Sequence, residues 1–398
     1  MGPLDGLRVL DVGTALAGPV CATILGDFGA DVIKIEQPRG GDPLRAFGPS
    51  VDGVPLWWMI EGRNKRSVTV NLSVDEGRDV VRKLIAVSDV LVENFRPGTM
   101  NRWGLGYDEV RKINPRLIYV AISGFGQTGP YSSRGAYDRV AQAMAGLTYL
   151  TGYPDRPPVK PGIGITDYSA AVVGALGAMF ALYARDTRDN GEGQLVDVAL
   201  CEALLRMYHY YIPQYGIDGT IPERAGNATE AMAPAECFRT RSGEWVMIAV
   251  GSDRLWRRLV EAMKQLELIE DPRFVTNGAR IEHLDEVHAV VRRWVEARDA
   301  KEVTDVLDAA EVPVARLFTA KDIYDDQHFR DREAVVTVND PVIGAVSMQG
   351  VVPKLMSTPG TIRSTGPRLG QHNEEVLRGI LGMSEEEMQA LVETGVVG

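Results

Sequence analysis

The sequence is poor in the residues that most often carry metal and redox chemistry. Its three cysteines, Cys21, Cys201 and Cys237, stand far apart and form no CxxC pair. That argues against a disulfide framework or a structural zinc site and fits a reducing, cytoplasmic compartment. Five histidines occur, His209, His283, His288, His328 and His372, and none belongs to an HxxxH or HExxH motif. No metal site is therefore expected. A long apolar run is also missing. The most apolar stretch, residues 169–184 (SAAVVGALGAMFALYA), is shorter than the ~20 residues that span a bilayer, so it predicts a buried helix and no membrane span. Positive charge is not in excess: 43 Lys and Arg face 54 Asp and Glu, a net charge of −11. A whole-protein affinity for nucleic acid or an anionic membrane is thereby disfavoured, while a local basic pocket is not. The first residues, MGPLDGLRVLDVG, carry neither the pattern of a secretory signal nor that of a transit peptide.

What the chain has in quantity is glycine, 42 of 398 residues against a usual ~7%. With 22 prolines, this predicts many tight turns or backbone lying close against a ligand. Chemistry must then rest on carboxylates, hydroxyls and backbone groups. At ~150 residues per domain, the length suits two or three domains.

The first third alternates apolar strand-like runs with helical spacing. Strands are predicted over 8–12, 31–36, 67–70, 89–93 and 116–123, with helices over 19–29, 74–87 and 107–113. This alternation implies parallel strands in a doubly wound α/β sheet. A buried helix at 169–187, a strand at 194–198 and a helix at 201–211 follow, then a Gly- and Pro-rich linker at 213–234. A strand at 245–250 and helices at 253–264, 285–297 and 301–310 predict a small, helix-rich domain. Short strands return after residue 322, and helices at 374–381 and 384–394 close the chain.

Several segments have the makings of a site. RVLDVGTALAGP is a strand, a glycine loop and a helix start, which together present backbone N–H groups to a phosphate. It is not GxGxxG, so a nicotinamide-dinucleotide fingerprint is absent. Arg63, Lys65 and Arg66 precede one strand, and Arg96 and Arg102 follow another, where α/β sheets bind ligands. Guanidinium groups suit phosphate oxygens, although for any single arginine an ordinary ion pair on a solvated surface is the favoured reading, with Arg96 set apart by its place between a strand and Pro97-Gly98. Asp167, in PGIGITDYSAA, stands at the start of the apolar helix. There it is either an N-cap, with Ser169 as a rival cap, or an ionised nucleophile favoured by the helix N-terminus. Tyr137 and Asp138 offer a hydroxyl and a second cap. The aromatic run MYHYYIPQYG (207–216) reads as packing or a subunit contact.

The stretches LDGLRVLDVGTALAGP, LGDFGADVIKIEQP, NKRSVTVNL, DVLVENFRPGTMNRWGLGYD, NPRLIYVAISGFGQTGPY, AYDRVAQAMAGL, GITDYSAA and GEGQLVDVAL occur in this order. Together they resemble the family III CoA transferases, the CaiB/BaiF group that also includes 2-methylacyl-CoA racemases. The resemblance implies a Rossmann-like large domain built from both chain ends, 1–200 and 320–398, and a smaller α+β domain at 225–315. It also implies an interlocked homodimer. By motif match it assigns CoA contacts to Leu16, Ala17, Asn71, Leu72, Asn94, Phe95, Arg96, Arg102 and Tyr137. Asp167 falls on the family's catalytic aspartate. CoA is then a substrate, with no cofactor beyond it. Where many members carry arginine after KIE, this chain has Gln37, with Arg39 as a possible substitute. The stretch RAGNATEAMAPAECF lacks the glycine run of formyl-CoA transferase, which speaks against oxalate or formate.

The resemblance leaves CoA transfer and racemisation open. Racemisation needs acid and base groups on both faces of the carbon, and the racemase histidine is replaced here by Tyr137, a poor base near neutral pH. Transfer from an acyl-CoA to a free carboxylic acid is therefore the expected reaction. A non-catalytic CoA-binding protein would keep the glycine loop and Arg96 without needing Asp167. Succinyl-CoA as donor and a small hydroxy- or dicarboxylic acid as acceptor follow from family habit alone.

Overall fold

A computed structural model describes residues 2–398. The chain partitions into two compact units. One comprises the residues through Leu147 together with Lys160–Thr220 and Gln327–Gly398. The other comprises Thr148–Val159 and Ile221–Asp326.

The larger unit is organised on a six-stranded sheet. Its strands are β1 (Arg8–Asp11), β2 (Asp31–Glu36), β3 (Lys65–Thr69), β4 (Val90–Glu93), β5 (Ile118–Ser123) and β6 (Leu195–Ala199). The spatial order is β3-β2-β1-β4-β5-β6 and every pairing is parallel. Helices cover both faces, which is why β4 and β5 are buried along their whole length. On one face Val9, Val32, Val90, Val92, Ile118 and Val120 pack against α1 (Ala17–Asp27) and α5 (Ile165–Thr187). On the other, Leu10, Ile33, Val68, Leu91 and Tyr119 pack against α2 (Asp75–Ala86) and α3 (Tyr107–Ile113). The closing helices α11 (Asn373–Leu377) and α12 (Glu385–Glu393) extend this second core. Strand order reverses between β1 and β4. In such sheets the crevice beyond the carboxyl ends of those two strands is the place where ligands bind.

Helix α5 is longer than its apolar run and only half buried. Gly174, Ala171, Ala175, Ala178, Ala181 and Leu182 face the sheet. Val172, Leu176, Phe180 and Tyr183 are exposed on the opposite side. Alone among the helices of the described residues, it is long and apolar enough to cross a membrane by length and composition. The helix predicted at 201–211 is helical only to Leu205, as α6 (Leu200–Leu205), and a separate helix α7 (Tyr211–Asp218) runs into the predicted linker. Tyr210 and Tyr211 meet edge to face at 5.1 Å, a contact that sequence neighbours on a continuous helix do not make. The predicted linker thus begins with a helical turn and a half, and Pro213 sits in its first turn, where a missing N–H is harmless.

The smaller unit contains an antiparallel sheet of β7 (Ala235–Arg239), β8 (Trp245–Ala249) and β9 (Val314–Arg316), in the order β9-β8-β7. Helices α8 (Asp253–Met263), α9 (Leu284–Glu296) and α10 (Ala300–Ala309) bury Trp256, Val291 and Leu307 beside it. The strands β10 (Val335–Asp340) and β11 (Gly344–Gln349) form a hairpin in the larger unit.

Candidate active site

The loop between β1 and α1, residues 12–16, is fixed from beneath by buried charges. Lys34 on β2 reaches Asp42 (3.0 Å), Asp11 (3.5 Å) and the Gly13 carbonyl. Lys65 on β3 reaches Asp11 (2.9 Å) and the Pro19 carbonyl (2.7 Å). Both lysine side chains are wholly buried. Burial opposes the charge on Lys34, but Asp11, Asp42 and Glu36 together hold its pKa above the ordinary lysine value. Asp11 also accepts the Gly13 N–H (3.0 Å), and Asp42 accepts the Ala15 N–H (3.0 Å). Ala15 adopts a left-handed conformation (φ 59°), which costs energy for a residue with a Cβ and is held by these contacts.

The loop after β4 is stapled to the first. The Asn94 amide accepts from the Thr14 N–H (2.7 Å) and donates to the Thr14 carbonyl (2.9 Å). Gly13 and Gly18 make room for it: a Cβ on either would stand 2.9 or 3.0 Å from Asn94 Oδ1. Beneath lies Glu93, whose carboxylate accepts the Phe95 N–H at 2.7 Å. Burial pushes the Glu93 carboxyl up to about 8, and Asp197 adds to the rise. Glu93 is therefore mostly protonated at neutral pH and does not repel an anion above it.

These two loops wall a cavity of about 230 Å³. Leu16, Ala17, Asn94, Phe95, Arg96, Tyr137 and Asp167, all expected from the sequence, line it together. Ser123 at the end of β5 also lines it; it is 6% exposed, and its hydroxyl has no hydrogen-bond partner among the described residues. An orphaned hydroxyl, backbone from a glycine loop and the Arg96 guanidinium suit an elongated polar ligand such as the pantetheine and phosphates of CoA.

Asp167 is not a cap. Helix α5 starts at Ile165, with Gly164 at the N-cap, so Asp167 lies in the first turn. The Thr166 N–H is satisfied instead by Asp138, from the N-terminus of α4 (Asp138–Met144), at 2.9 Å. Asp138 also accepts from the Gln142 amide at 2.6 Å. Among the described residues no donor binds the Asp167 carboxylate. Burial pushes its pKa up to about 7, with the Asp138 charge adding to the rise. This corrects the expectation that the helix N-terminus favours ionisation: desolvation and a neighbouring like charge prevail.

Asp167 also faces a second cavity of about 470 Å³, which shares Leu16, Tyr137 and Asp167 with the first. Its other walls include Trp57, Asp138, Arg139, Val140, Lys160 and Ile163. Sequence reading missed Trp57, Arg139 and Lys160. Trp57 stands outside the recognised stretches with nothing local to mark it, whereas Arg139 directly follows Tyr137 and Asp138 in AYDRVAQAMAGL and Lys160 directly precedes PGIGITDYSAA, and those places were the available signal. Trp57 is set by a chain of bonds: its indole donates to the Tyr168 hydroxyl (3.2 Å), which donates to Glu61 (2.8 Å).

Three expected contacts lie outside both cavities. Leu72 is 4% exposed within the core. The Asn71 side chain accepts from Ser73, and Arg102 is exposed and bonded to Thr99. Arg39 is exposed in the turn after β2. The basic group at the start of β3 is committed to ion pairs: Arg63, just before the strand, with Asp27, and on the strand Lys65 with Asp11 and Arg66 with Asp31 and Glu375. A separate cavity of about 460 Å³, bordered by Arg45, Trp58, Asp340 and Arg368, holds none of the expected CoA contacts, although Lys65 also borders it. Among the described residues no cluster of His, Cys, Asp and Glu is suited to a metal ion.

Comparison with known proteins gives a consistent picture. The model of CoA-transferase family III matches residues 4–373. A succinyl-CoA–D-citramalate CoA-transferase from Chloroflexus aurantiacus is 43% identical, over 98% of this chain and 96% of its own. The beta subunit of a succinyl-CoA–L-malate CoA-transferase from that organism is 44% identical, over 98% and 96%. A mouse succinyl-CoA:glutarate CoA-transferase is 33% identical, over 100% and 91%. The crystal structure of a CaiB/BaiF family protein from Brucella suis superposes with a TM-score of 0.84 at 32% identity, covering 95% of this chain and 99% of that one.

Proposed function

The chain belongs to CoA-transferase family III, and from that premise we propose how it moves CoA from an acyl-CoA thioester to a free carboxylic acid. The reading rests on one observation above all. Asp167 stands unbonded in the wall common to two cavities, one suited to CoA and one open beside it. Its carboxylate attacks the thioester carbonyl and expels CoA thiolate, leaving a mixed anhydride on Asp167. The thiolate attacks the aspartyl carbonyl and releases the donor acid, leaving CoA as a thioester on Asp167. The acceptor carboxylate then attacks that thioester, and the expelled thiolate takes up the new acyl group. Asp167 is regenerated. Each step exchanges one acyl–oxygen or acyl–sulfur bond for another, and dividing one difficult exchange this way is covalent catalysis. A pKa near 7 leaves about half of Asp167 ionised at neutral pH, so the nucleophile is present without being held by hydrogen bonds it must break.

CoA lies along Leu16, Ala17 and Asn94–Arg96, with Tyr137 at the acyl end. Asn71, Leu72 and Arg102 remain the motif-based extension of this path toward the nucleotide. Succinyl-CoA is the proposed donor and a small hydroxy- or dicarboxylic acid the acceptor, in line with the substrates in the three relatives' names. CoA serves as substrate and no further cofactor enters the scheme. The working form is a homodimer, interlocked, with the larger domain formed from both chain ends. Support comes from the uncovered stripe Val172, Leu176, Phe180 and Tyr183, and from Tyr137, which is 80% exposed although it lines both cavities. All three cysteines are free, as suits a cytoplasmic enzyme.

The test is exchange between succinyl-CoA and a panel of carboxylic acids, with the native protein and with Asp167→Ala. Exchange is expected to fall at least ~1,000-fold in the variant. Hydroxylamine is expected to trap a derivative of Asp167 in the native protein alone. Full exchange by Asp167→Ala would sink the mechanism, and deuterium wash-in at the α-carbon without exchange would point to racemisation.

A further inference from the structure

We propose that Arg139 and Lys160 grip the distal carboxylate of a dicarboxylic acyl group while its other end reacts at Asp167. The inference rests on the transfer reading above and assigns residues to its substrate class. The larger of the two cavities at Asp167 is lined by these two cations. Both side chains are exposed; Arg139 makes no ion pair among the described residues, and the Lys160 ammonium bonds only to the Pro161 carbonyl at 3.0 Å. Leu16, Trp57, Val140 and Ile163 give the same cavity apolar walls. Such a pocket suits a short methylene chain with a charge at its far end.

The charges that line the cavity strengthen the assignment. Before reaction, the cavity holds two cations, Arg139 and Lys160, and two carboxyl groups, Asp138 and Asp167. Asp138 is already committed to Thr166 and Gln142. When Asp167 becomes an anhydride or a thioester, its negative charge passes to the CoA thiolate or to the released carboxylate. The two cations of the cavity stay in place, and the tied Asp138 pairs with one of them at most. A carboxylate at the far end of the bound acyl group pairs with the remaining cation, whereas a monocarboxylic acyl chain leaves that cation to solvent. Discrimination by a site built to pair a polar group is strong, because the analogue lacking it leaves that site unpaired. Arg139 supplies a planar fork for two oxygens, and Lys160 a mobile point charge.

The experiment compares succinyl-CoA with butyryl-CoA, which differ at the far end of a four-carbon chain. Binding of each is measured by calorimetry and exchange by kcat/KM, for the native protein, Arg139→Gln and the Arg139→Gln/Lys160→Met double variant. Charged hydrogen bonds of this kind predict a fall of about 10- to 100-fold in the succinyl-to-butyryl ratio for Arg139→Gln, and a larger fall for the double variant. Arg139→Lys should recover part of it. A native protein that exchanges no pair would defeat the transfer reading, and loss of its succinyl-over-butyryl binding preference on substitution would then uphold only the grip of Arg139 and Lys160 on the distal carboxylate. A ratio within about threefold of the native value in both variants would overturn the inference and leave the transfer reading standing. Circular dichroism confirms that the variants fold.

Discussion

Replacing Asp138 by asparagine separates the two causes that raise the Asp167 pKa. Asparagine keeps an oxygen for the Thr166 N–H but removes the neighbouring charge. Burial is the larger cause, so it alone must account for more than half of the rise from 3.8 to about 7. The variant should therefore keep a pKa between about 5.4, the midpoint, and about 7. Asp167 acts as the carboxylate, so exchange gains as pH rises through this pKa. At pH 6 a group of pKa 7 is about 9% ionised, one of pKa 6 about 50% and one of pKa 5.4 about 80%. At pH 8 all are more than ~90% ionised. The ratio of kcat/KM at pH 6 to that at pH 8 should thus rise in Asp138→Asn, with a ceiling of about eightfold. The assay is exchange between succinyl-CoA and a dicarboxylic acid from pH 5 to 9, read as kcat/KM so that the free enzyme's ionisation is reported. An acidic limb that does not move would refute the electrostatic coupling. A limb that drops below about 5 would show that charge, and not burial, is the larger cause.

Two further outcomes follow from the geometry. Gly13→Ala places a methyl group 2.9 Å from Asn94 Oδ1 and 3.1 Å from Gly18 Cα, so the Asn94 staple must give way. A loss of about 1–3 kcal/mol in urea unfolding is expected, with weaker CoA binding by calorimetry. Glu93→Gln removes a carboxyl whose folded pKa is about 8 against an ordinary 4.5. The folded native protein binds the extra proton throughout that window, so its stability falls as pH rises from about 4.5 through 8. The variant should lose less stability over that range, seen as a smaller drop in Tm between pH 5 and pH 8.5.

The parallel sheet was legible because β4 and β5 are apolar runs up to their last residue, and β2 sets Val32, Ile33 and Ile35 around a single lysine, between helices whose spacing or glycine ends mark them. The order of the strands was not, since nothing in a strand's own residues names its neighbour. The same limit applies to the site. Asp167 stood out locally as a cap, and the residue that relieves it of that task is Asp138, which accepts the Thr166 N–H from 28 positions earlier than Thr166. Its raised pKa depends on burial and on that same residue, neither visible in PGIGITDYSAA. The group Arg63, Lys65 and Arg66 left a ligand site open beside the favoured ion pairs, and the deciding carboxylates lie on β1, on α1, at the start of β2 and on α11. The small unit's β7 and β9 escaped notice because five and three residues carry too little alternation to register.

The buried quartet Asp11, Lys34, Asp42 and Lys65 has an evolutionary consequence. Deleting one member strands an uncompensated charge at a cost of roughly 3–5 kcal/mol, whereas exchanging the whole group for well-packed apolar residues would cost far less. The path from one solution to the other therefore runs through unstable intermediates. Lineages descending from this chain are trapped on the charged side of that valley. The loop over Gly13 keeps its shape through descent because its foundation cannot be altered one residue at a time, whatever acid the pocket above comes to prefer.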